Sequence, residues 1–315
     1  MNTRWFRCRD RCFGLVFPAE VAKHVRSSMP TEPAQQILAL FELALLLAGI
    51  FLFIRLVAST TVRTRWLSER PLPPWPVTLP EFVIFVFLIF GSGTFFQLAT
   101  HGLLKNLIAQ AADRDGLQLC LNGFGFDGGG LVGWLLFRSM RKSWYADYGT
   151  EPPAVPPAPA LPGLNIALSA VGALLTALPV IIVFNLGWTW LLKQLGLPDE
   201  PQDLIAVFAK TKSPLVIAGM LIVACGLAPL YEELLFRAGL YRFCRQRLGR
   251  NVALLFSGCL FGAAHANWAS FVPLAVLGMV LALAYEATGD IRVPIVAHGL
   301  FNLNTVLIVL SGLPQ

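Results

Sequence analysis

Two long stretches of this sequence, residues 252–285 and 293–315, contain no Asp, Glu, Lys or Arg. A helix of roughly 20 apolar residues is long enough to cross the hydrocarbon core of a bilayer. The rest of the chain follows the same trend, because 56% of its residues are hydrophobic and 13% are charged, about half the charged fraction of a soluble domain. The sequence therefore predicts an all-α, polytopic transmembrane helical bundle.

About seven or eight spans are expected, since one or two interfacial pieces accompany seven clear segments. The seven segments are residues 35–59, 81–104, 164–192, 214–248, 251–265, 269–285 and 293–310. Glu42 lies inside the first segment. A carboxylate at membrane depth either has a function or faces a neighbouring helix, and both interpretations of Glu42 stay open.

The densest proline stretch, EPPAVPPAPALPG at residues 151–163, predicts a stiff polyproline-type linker. It separates an N-terminal region, residues 1–150, with two spans and a mixed interfacial stretch, from a membrane-embedded C-terminal core, residues 164–315. The glycine-rich NGFGFDGGG at 122–130 lacks the strand and helix that flank a phosphate-binding loop. We interpret it as a flexible or re-entrant connection, and residues 60–80 as a loop.

Basic residues in membrane proteins indicate orientation, because cytoplasmic loops are enriched in Lys and Arg. The strongest cluster follows the fourth segment and comprises Arg237, Arg242, Arg245, Arg247 and Arg250. With four spans before this cluster, the N-terminus and its basic residues 1–33 are predicted to be cytoplasmic. A loop containing Arg63, Arg65 and Arg70 then falls outside, which conflicts with the rule. Short loops and the lack of a targeting signal favour a bacterial inner membrane, and no basic patch with interleaved aromatic residues indicates nucleic-acid binding.

The 214–248 segment carries an acid pair, Glu232 and Glu233, after an uncharged run, and Arg237 follows four residues after Glu233. Residues four apart are neighbours on a helix, so Glu233 and Arg237 can form an ion pair. Successive helical positions differ by about 100°. Glu232 is therefore expected to point to another face and to stay available as a base, with Glu233 and Arg237 in support.

Two histidines, His265 and His298, lie in the uncharged C-terminal runs. A turn at residues 249–251 would place His265 at the level of the acid pair, since both are nearly equally far from the turn along antiparallel helices. His298 and Asn302 are one helical turn apart. An acid pair, two histidines and an asparagine are thus predicted to converge in one membrane cavity. The alternative is purely structural, with hydrogen-bonded histidines and a salt bridge at a helix end.

These residues form three motifs that resemble those of the CAAX prenyl protease and bacteriocin-processing (Abi) family of intramembrane proteases. The motifs are Glu232-Glu233-x3-Arg237, Phe261-x3-His265 and His298-x3-Asn302, and the resemblance covers residues 214–305. It implies a multi-helix membrane fold with a water-filled chamber open towards the cytosol. It also implies that Glu232 is the catalytic glutamate, that His265 is its partner, and that His298 and Asn302 stabilise the oxyanion.

The predicted function is an intramembrane endopeptidase that hydrolyses a membrane-associated, prenylated or leader-type peptide by means of a water activated by Glu232 with the help of His265. The family has been described both as metalloproteases and as glutamate-dependent proteases. We expect no required cofactor. Zinc bound by Glu232, His265 and His298 is the alternative, although the sequence has no H-E-x-x-H motif. Phe261 is expected to pack against the ring of His265.

Two other classes of function use the same residue types. Intramembrane carboxylates and histidines also form proton relays in transporters, although no internal repeat is evident in the sequence. A non-catalytic membrane scaffold or immunity protein of the same fold is the other alternative. The expected partners are the lipid bilayer and a peptide or protein substrate, but not nucleic acid. Residues that contact substrate are not evident from the sequence, and Tyr241 and Asn267 are the nearby candidates.

Overall fold

The computed structural model describes residues 32–69, 72, 75–147, 163–200 and 202–311. Throughout these ranges the regular structure is helical and no strand occurs, so the predicted all-α class is confirmed. The predicted basic N-terminal segment, up to residue 31, and nearly all of the predicted proline-rich linker, residues 151–162, lie outside the described residues.

The described helices are numbered here in chain order. They are α1 (Glu32–Ala58), α2 (Thr60–Leu67), α3 (Leu79–Gln110), α4 (Arg114–Asp147), α5 (Gly163–Leu195), α6 (Asp203–Lys210), α7 (Pro214–Leu248), α8 (Arg250–Ala264), α9 (Trp268–Thr288) and α10 (Arg292–Ser311). Within the described residues, six of these helices are long and apolar enough to cross a membrane: α1, α3, α5, α7, α9 and α10. Helix α8 is apolar but has only 15 residues. The predicted polytopic bundle is confirmed, although six candidate spans occur in the described residues instead of seven or eight, because the predicted span 251–265 is the short helix α8.

The glycine-rich segment 122–130 is not a connection, and this prediction was wrong. It lies inside α4, a helix of 34 residues that packs along α3. Gly125, Gly129 and Gly133 each face the backbone of α3 so closely that a Cβ atom would overlap it. Small residues let two membrane helices approach in this way. The same glycines lower the mean hydropathy of the segment, so that its sequence resembles that of a loop. The predicted loop 60–80 likewise contains a short helix, α2.

We expect Gly133→Ala to lower the free energy of unfolding by about 1–3 kcal/mol, the usual effect of overpacking. Its Cβ would overlap the carbonyl group of Leu88 and lie 2.9 Å from the Cα of Ile89. The matched control is Gly128→Ala on the same helix, where no described atom lies within 4 Å of the new methyl group. Thermal unfolding in detergent should show this control to be neutral or stabilised by up to about 1 kcal/mol, because alanine is the better helix former. Equal effects of the two changes would contradict the close packing of α3 and α4.

The two basic segments that conflict in the sequence lie at the same end of the bundle. Arg245 is 3.3 Å from Glu69 in the connection between α2 and α3. Arg250, at the start of α8, donates to the carbonyl of Leu67 at 3.0 Å. We call this the arginine-rich end, defined by the α1–α3 connection together with the α7–α8 turn. The sequence predicts three spans between these two basic segments and so puts them on opposite sides of the membrane. With α4 there are four long helices between them, so both segments lie at the same end and agree with the positive-inside rule.

The added helix also changes the position of the first described residue relative to the arginine cluster. Gln35, near the start of α1, donates to the carbonyl of Ser311 at the end of α10, at 2.9 Å. Helix α1 runs from this point to the arginine-rich end, so Glu32 lies at the opposite end of the bundle. The prediction that the N-terminal segment shares a side with the arginine cluster therefore does not hold for Glu32. The positive-inside rule still predicts that the arginine-rich end faces the cytosol.

Helix α1 is held partly through its single acidic residue within the span. Asn304 on α10 donates from Nδ2 to an oxygen of Glu42 at 3.2 Å. The second interpretation of Glu42, that it faces a neighbouring helix, is thus confirmed. At the arginine-rich end, the buried Glu286 of α9 joins α7 and α8, because its two oxygens lie 2.6 Å from Arg245 Nε and 2.7 Å from Arg250 Nε.

Candidate active site

The acid pair lies in the middle of α7 between two π-helical segments, Val223–Leu227 and Leu234–Tyr241. Pro229 accounts for the first of them, because proline has no N–H to donate to the carbonyl four residues earlier. π-Helical turns are frequent at functional sites. Here the widened turn leaves the carbonyl of Ala224 free to accept a hydrogen bond from Asn302 Nδ2 at 2.7 Å. Asn302 on α10 is thereby fixed to α7, about two turns before the acid pair.

Glu233 is fully buried and makes two close polar contacts. One oxygen lies 2.8 Å from Arg237 Nη1, so the ion pair that the spacing predicts is present. The same oxygen lies 2.9 Å from His298 Nδ1. Arg237, also fully buried, donates from Nη2 to the carbonyl of Gly278 at 3.1 Å. Glu233 and its partner Arg237 therefore join α7 to α10, through His298, and to α9, through Gly278.

Glu232 is more exposed than Glu233 and has fewer close polar contacts. Its side chain is 20% exposed, whereas that of Glu233 is completely buried. Its Oε2 atom, like Oε2 of Glu233, is buried without a hydrogen-bond partner in the described structure, and it lies 3.8 Å from His298 Nε2. A carboxylate only accepts hydrogen bonds, so the contact with Glu233 places a proton on His298 Nδ1. The other ring nitrogen of His298 then faces Glu232.

His265 follows the last residue of α8 and is half-buried. Its Nδ1 lies 2.9 Å from the carbonyl of Phe261, so Nδ1 carries the proton and Nε2 is left unprotonated in the neutral ring. No described hydrogen bond joins His265 to Glu232. The Phe261 ring lies 5.0 Å from the His265 ring and 5.5 Å from the His298 ring, between centroids. The predicted packing of Phe261 against His265 is present, and the same ring also supports His298.

Phe261→Leu is expected to lower cleavage about tenfold and stability by about 1–3 kcal/mol, since a change of shape in a packed core misplaces its neighbours. Phe261 is fully buried, and its ring also lies 4.4 Å from the guanidinium carbon of Arg237. Phe256→Leu is the matched control, because Phe256 is on the same helix but is 45% exposed. Peptide cleavage assays and unfolding curves in detergent measure both effects. If Phe261→Leu had normal activity, its role as a support for both histidines would be excluded.

The two candidates for substrate contact have structural roles. Tyr241 is fully buried at the end of the second π-helical segment. Asn267 caps α9, because its Oδ1 accepts from the backbone N–H of Ser270 at 2.9 Å. Its Nδ2 donates to the carbonyl of Glu200 at 3.1 Å. Tyr241 is therefore enclosed by the core, and Asn267 holds the start of α9 against the residues that follow α5; a contact of either with substrate stays a prediction.

Asp127 on α4 is a residue of the site that the sequence analysis missed. It is 7% exposed and lies within electrostatic range of Glu232 and Tyr231. Within the described residues it forms no ion pair. The available signal was that Asp127 is the only charged residue between Asp115 and Arg138. An isolated carboxylate in a membrane helix indicates a function by default, but the surrounding glycines favoured a loop.

The zinc alternative requires Glu232, His265 and His298 to converge on one point. No three His, Cys, Asp or Glu side chains are grouped to hold a metal ion in the part of the chain that the structure describes. This arrangement does not fit a three-ligand zinc site, and no chemical step is derived through one.

The acid pair, the two histidines and Asn302 all lie on α7, α8 and α10, within one continuous segment of the chain. Residues 214–304 match the Rce1-like family, type II CAAX prenyl endopeptidases. The resemblance that the three motifs predict is thus confirmed for this segment. The Rce1-like segment comprises α7, α8, α9 and most of α10, and α1 to α6 lie outside it.

A curated relative supports the same family. The protein named "Putative membrane peptidase YdiL" of Bacillus subtilis (strain 168) is 31% identical to this chain over 92 residues, which is 29% of this chain. The match covers 38% of the length of the relative. No solved structure matches the chain. The comparisons therefore support a membrane protease family through the Rce1-like segment.

Proposed function

We propose that the protein is an intramembrane endopeptidase in which Glu232 activates the attacking water. The observation that carries the proposal is the unequal environment of the two adjacent glutamates. Glu233 is buried against Arg237 and His298, at 2.8 and 2.9 Å, whereas the side chain of Glu232 is 20% exposed and comes no closer than 3.8 Å to a basic side chain. One carboxylate is thus fixed as a structural anion, and the other is available for proton transfer.

Hydrolysis of a peptide bond begins with removal of a proton from water. Glu232 accepts this proton as the water oxygen attacks the carbonyl carbon, and His265, through its unprotonated Nε2, assists. His298 Nε2 lies 3.8 Å from Glu232 Oε2, close enough to receive the proton after a small movement. The imidazolium formed would be stabilised by Glu233 at Nδ1, at 2.9 Å. His298 can then supply this proton to the leaving amine.

The tetrahedral intermediate requires donors directed at its oxyanion. Asn302 uses Nδ2 in a hydrogen bond to the carbonyl of Ala224. An amide nitrogen has two N–H groups, so the second can donate to the oxyanion beside protonated His298. One donor of this kind contributes roughly 3 kcal/mol to the transition state. The bond to Ala224 fixes the amide plane before substrate binds.

The proposed substrate is a membrane-associated peptide, of the prenylated or leader type. The family match is to CAAX prenyl endopeptidases, and the proposed base lies in the middle of α7, a helix of 35 residues that is long and apolar enough to span the membrane. A substrate that already lies in the membrane reaches this depth without transfer from water. Helices α1 to α6 lie outside the family match. Any part that they play in choosing the substrate therefore belongs to the proposal.

The test is cleavage of a mixed peptide library by the purified protein in detergent, in water enriched in oxygen-18. Hydrolysis should yield new C-termini that carry the label, detected by mass spectrometry, and Glu232→Gln should abolish these products. A chelator should leave them unchanged. Loss of cleavage with the chelator would instead support a metal mechanism, and labelled products from Glu232→Gln at the wild-type rate would overturn the assignment of the base. Proton flux into liposomes without any cleavage would support the transporter alternative.

A further inference from the structure

A cavity of about 470 Å³ opens near the arginine-rich end, between α3, α4 and α7. It is lined by residues that follow the acid pair on α7, beginning with Leu234, and by the last turns of α4. The catalytic side chains proposed above do not line it. It is therefore a separate site, and the inference drawn from it does not depend on the proposed function.

The outer part of the cavity is strongly basic. Its cations are Arg138, Arg141, Lys142 and Arg242, and the described lining includes no acidic side chain. Arg141 contacts Glu81, just outside the lining, at 3.3 Å. Arg138 and Lys142 are exposed, one turn apart on α4, and form no ion pair with any described acidic residue. Positive charge thus exceeds negative charge at the mouth.

The inner part of the cavity is aromatic. Phe85, which is almost fully buried, contacts the rings of Trp75 and Phe137, each at 5.2 Å between centroids. Trp134 stands at the boundary of the two parts, with the guanidinium carbon of Arg138 4.9 Å from its ring centroid. Tryptophan with flanking basic residues is typical of the interface between the hydrocarbon core and the headgroups. The cavity therefore offers cations on its outer side and apolar rings on its inner side.

The surface beside the mouth of the cavity is apolar. Leu135 and Leu136, which precede Phe137 and Arg138 on α4, are 57% and 45% exposed. Because α4 packs along the candidate span α3, these exposed side chains are expected to face hydrocarbon. A molecule that enters from this direction must combine an apolar chain with a negative group at the level of Arg138 and Lys142. Basic pockets between transmembrane helices are known to bind anionic headgroups.

We propose that this cavity binds an anionic phospholipid of the leaflet at the arginine-rich end. The phosphate of this lipid lies among Arg138, Lys142, Arg141 and Arg242. The part of its acyl chain nearest the headgroup lies against Trp134 and Phe137. The bound lipid joins the end of α4 to the second π-helical segment of α7, through contacts with Ala238 and Gly239. It thereby stabilises the contact between the N-terminal helices and the Rce1-like segment.

The experiment measures the increase in unfolding temperature of the full-length protein in detergent on titration with defined lipids. Phosphatidylglycerol should stabilise the wild type, and phosphatidylcholine should have little effect. The double variant Arg138→Gln/Lys142→Gln should bind phosphatidylglycerol about 10- to 30-fold more weakly, as expected for two basic residues near a headgroup. The charge-matched control is Arg63→Gln/Arg65→Gln on α2, at the same end but outside the cavity, which should keep the wild-type response.

Three outcomes would overturn the proposal. Equal responses to the two lipids would show that charge is not recognised. Equal weakening in both double variants would indicate general attraction to the surface. If inorganic phosphate or glycerol 3-phosphate raised the unfolding temperature as much as phosphatidylglycerol, the cavity would be a simple anion site that does not use its aromatic inner part. If the double variant failed to fold, Trp134→Leu would test the same site without a change of charge, and it should also weaken binding of phosphatidylglycerol.

Discussion

Replacement of Glu232 by glutamine is expected to reduce peptide cleavage by about 10²- to 10⁴-fold, the usual contribution of a general base. The change should leave the unfolding temperature close to that of the wild type. Glutamine has nearly the same shape as glutamate, and Glu232 makes no ion pair closer than the 3.8 Å approach to His298. The loss should fall on kcat, because the proton transfer occurs in the transition state.

The control for this variant is Glu69→Gln, which removes a carboxylate that is 65% exposed at the arginine-rich end. It should keep normal cleavage, since exposed ion pairs contribute little to stability. A Glu232→Gln protein that was inactive but also unfolded at a much lower temperature would point to a structural role. Measuring kcat and the unfolding curve on the same preparation separates these two interpretations.

Replacement of the adjacent residue, Glu233, by glutamine is expected to lower the free energy of unfolding by about 3–5 kcal/mol. Arg237 is fully buried, and removal of one partner leaves an uncompensated charge in the core. Cleavage should fall as well, because the uncharged amide oxygen of glutamine is a weaker acceptor for His298 Nδ1 and no longer stabilises the imidazolium. Two neighbouring Glu→Gln changes thus have different expected phenotypes, one in catalysis and one mainly in folding.

The double variant Glu233→Gln/Arg237→Met tests the reason for this destabilisation. If the cost arises from an unpaired charge, removing the guanidinium should restore much of the lost stability. Chemical denaturation of the single and double variants in detergent gives the coupling between the two residues. Equal stability of Glu233→Gln and the double variant would mean that the buried charge is not the cause. Activity should stay low in both proteins.

Local spacing explains which parts of the site the sequence predicts. The Glu233–Arg237 ion pair follows from a spacing of four residues on one helix. The different environments of Glu232 and Glu233 follow from the angle of about 100° between successive helical positions. Both features are present in the structure. The position of Asn302 against Ala224 was not predictable in this way, because it requires the widened turn that Pro229 produces in α7.

The fold shows the same division between local and tertiary information. Apolar length was sufficient to predict three spans of the Rce1-like segment, α7, α9 and α10. It overestimated α8, which is a shorter helix, and it failed for α4. Glycines that permit close contact between α3 and α4 reduce hydropathy and have high loop propensity. A connection in place of α4 puts Glu32 at the wrong end of the bundle and does not bring Asp127 near Glu232. Each depends on where the helix lies in three dimensions and not on its own sequence.

The hydrogen bond between Glu42 and Asn304 joins residues that are 262 positions apart in the chain. Since a polypeptide is made from its N-terminus, α1 reaches the bilayer long before α10 has been synthesised. Until then, the carboxylate of Glu42 lacks its partner at membrane depth, where an unpartnered carboxylate is costly. Helix α1 can pack against α5 before then, but this polar contact forms only when the last helix has been inserted.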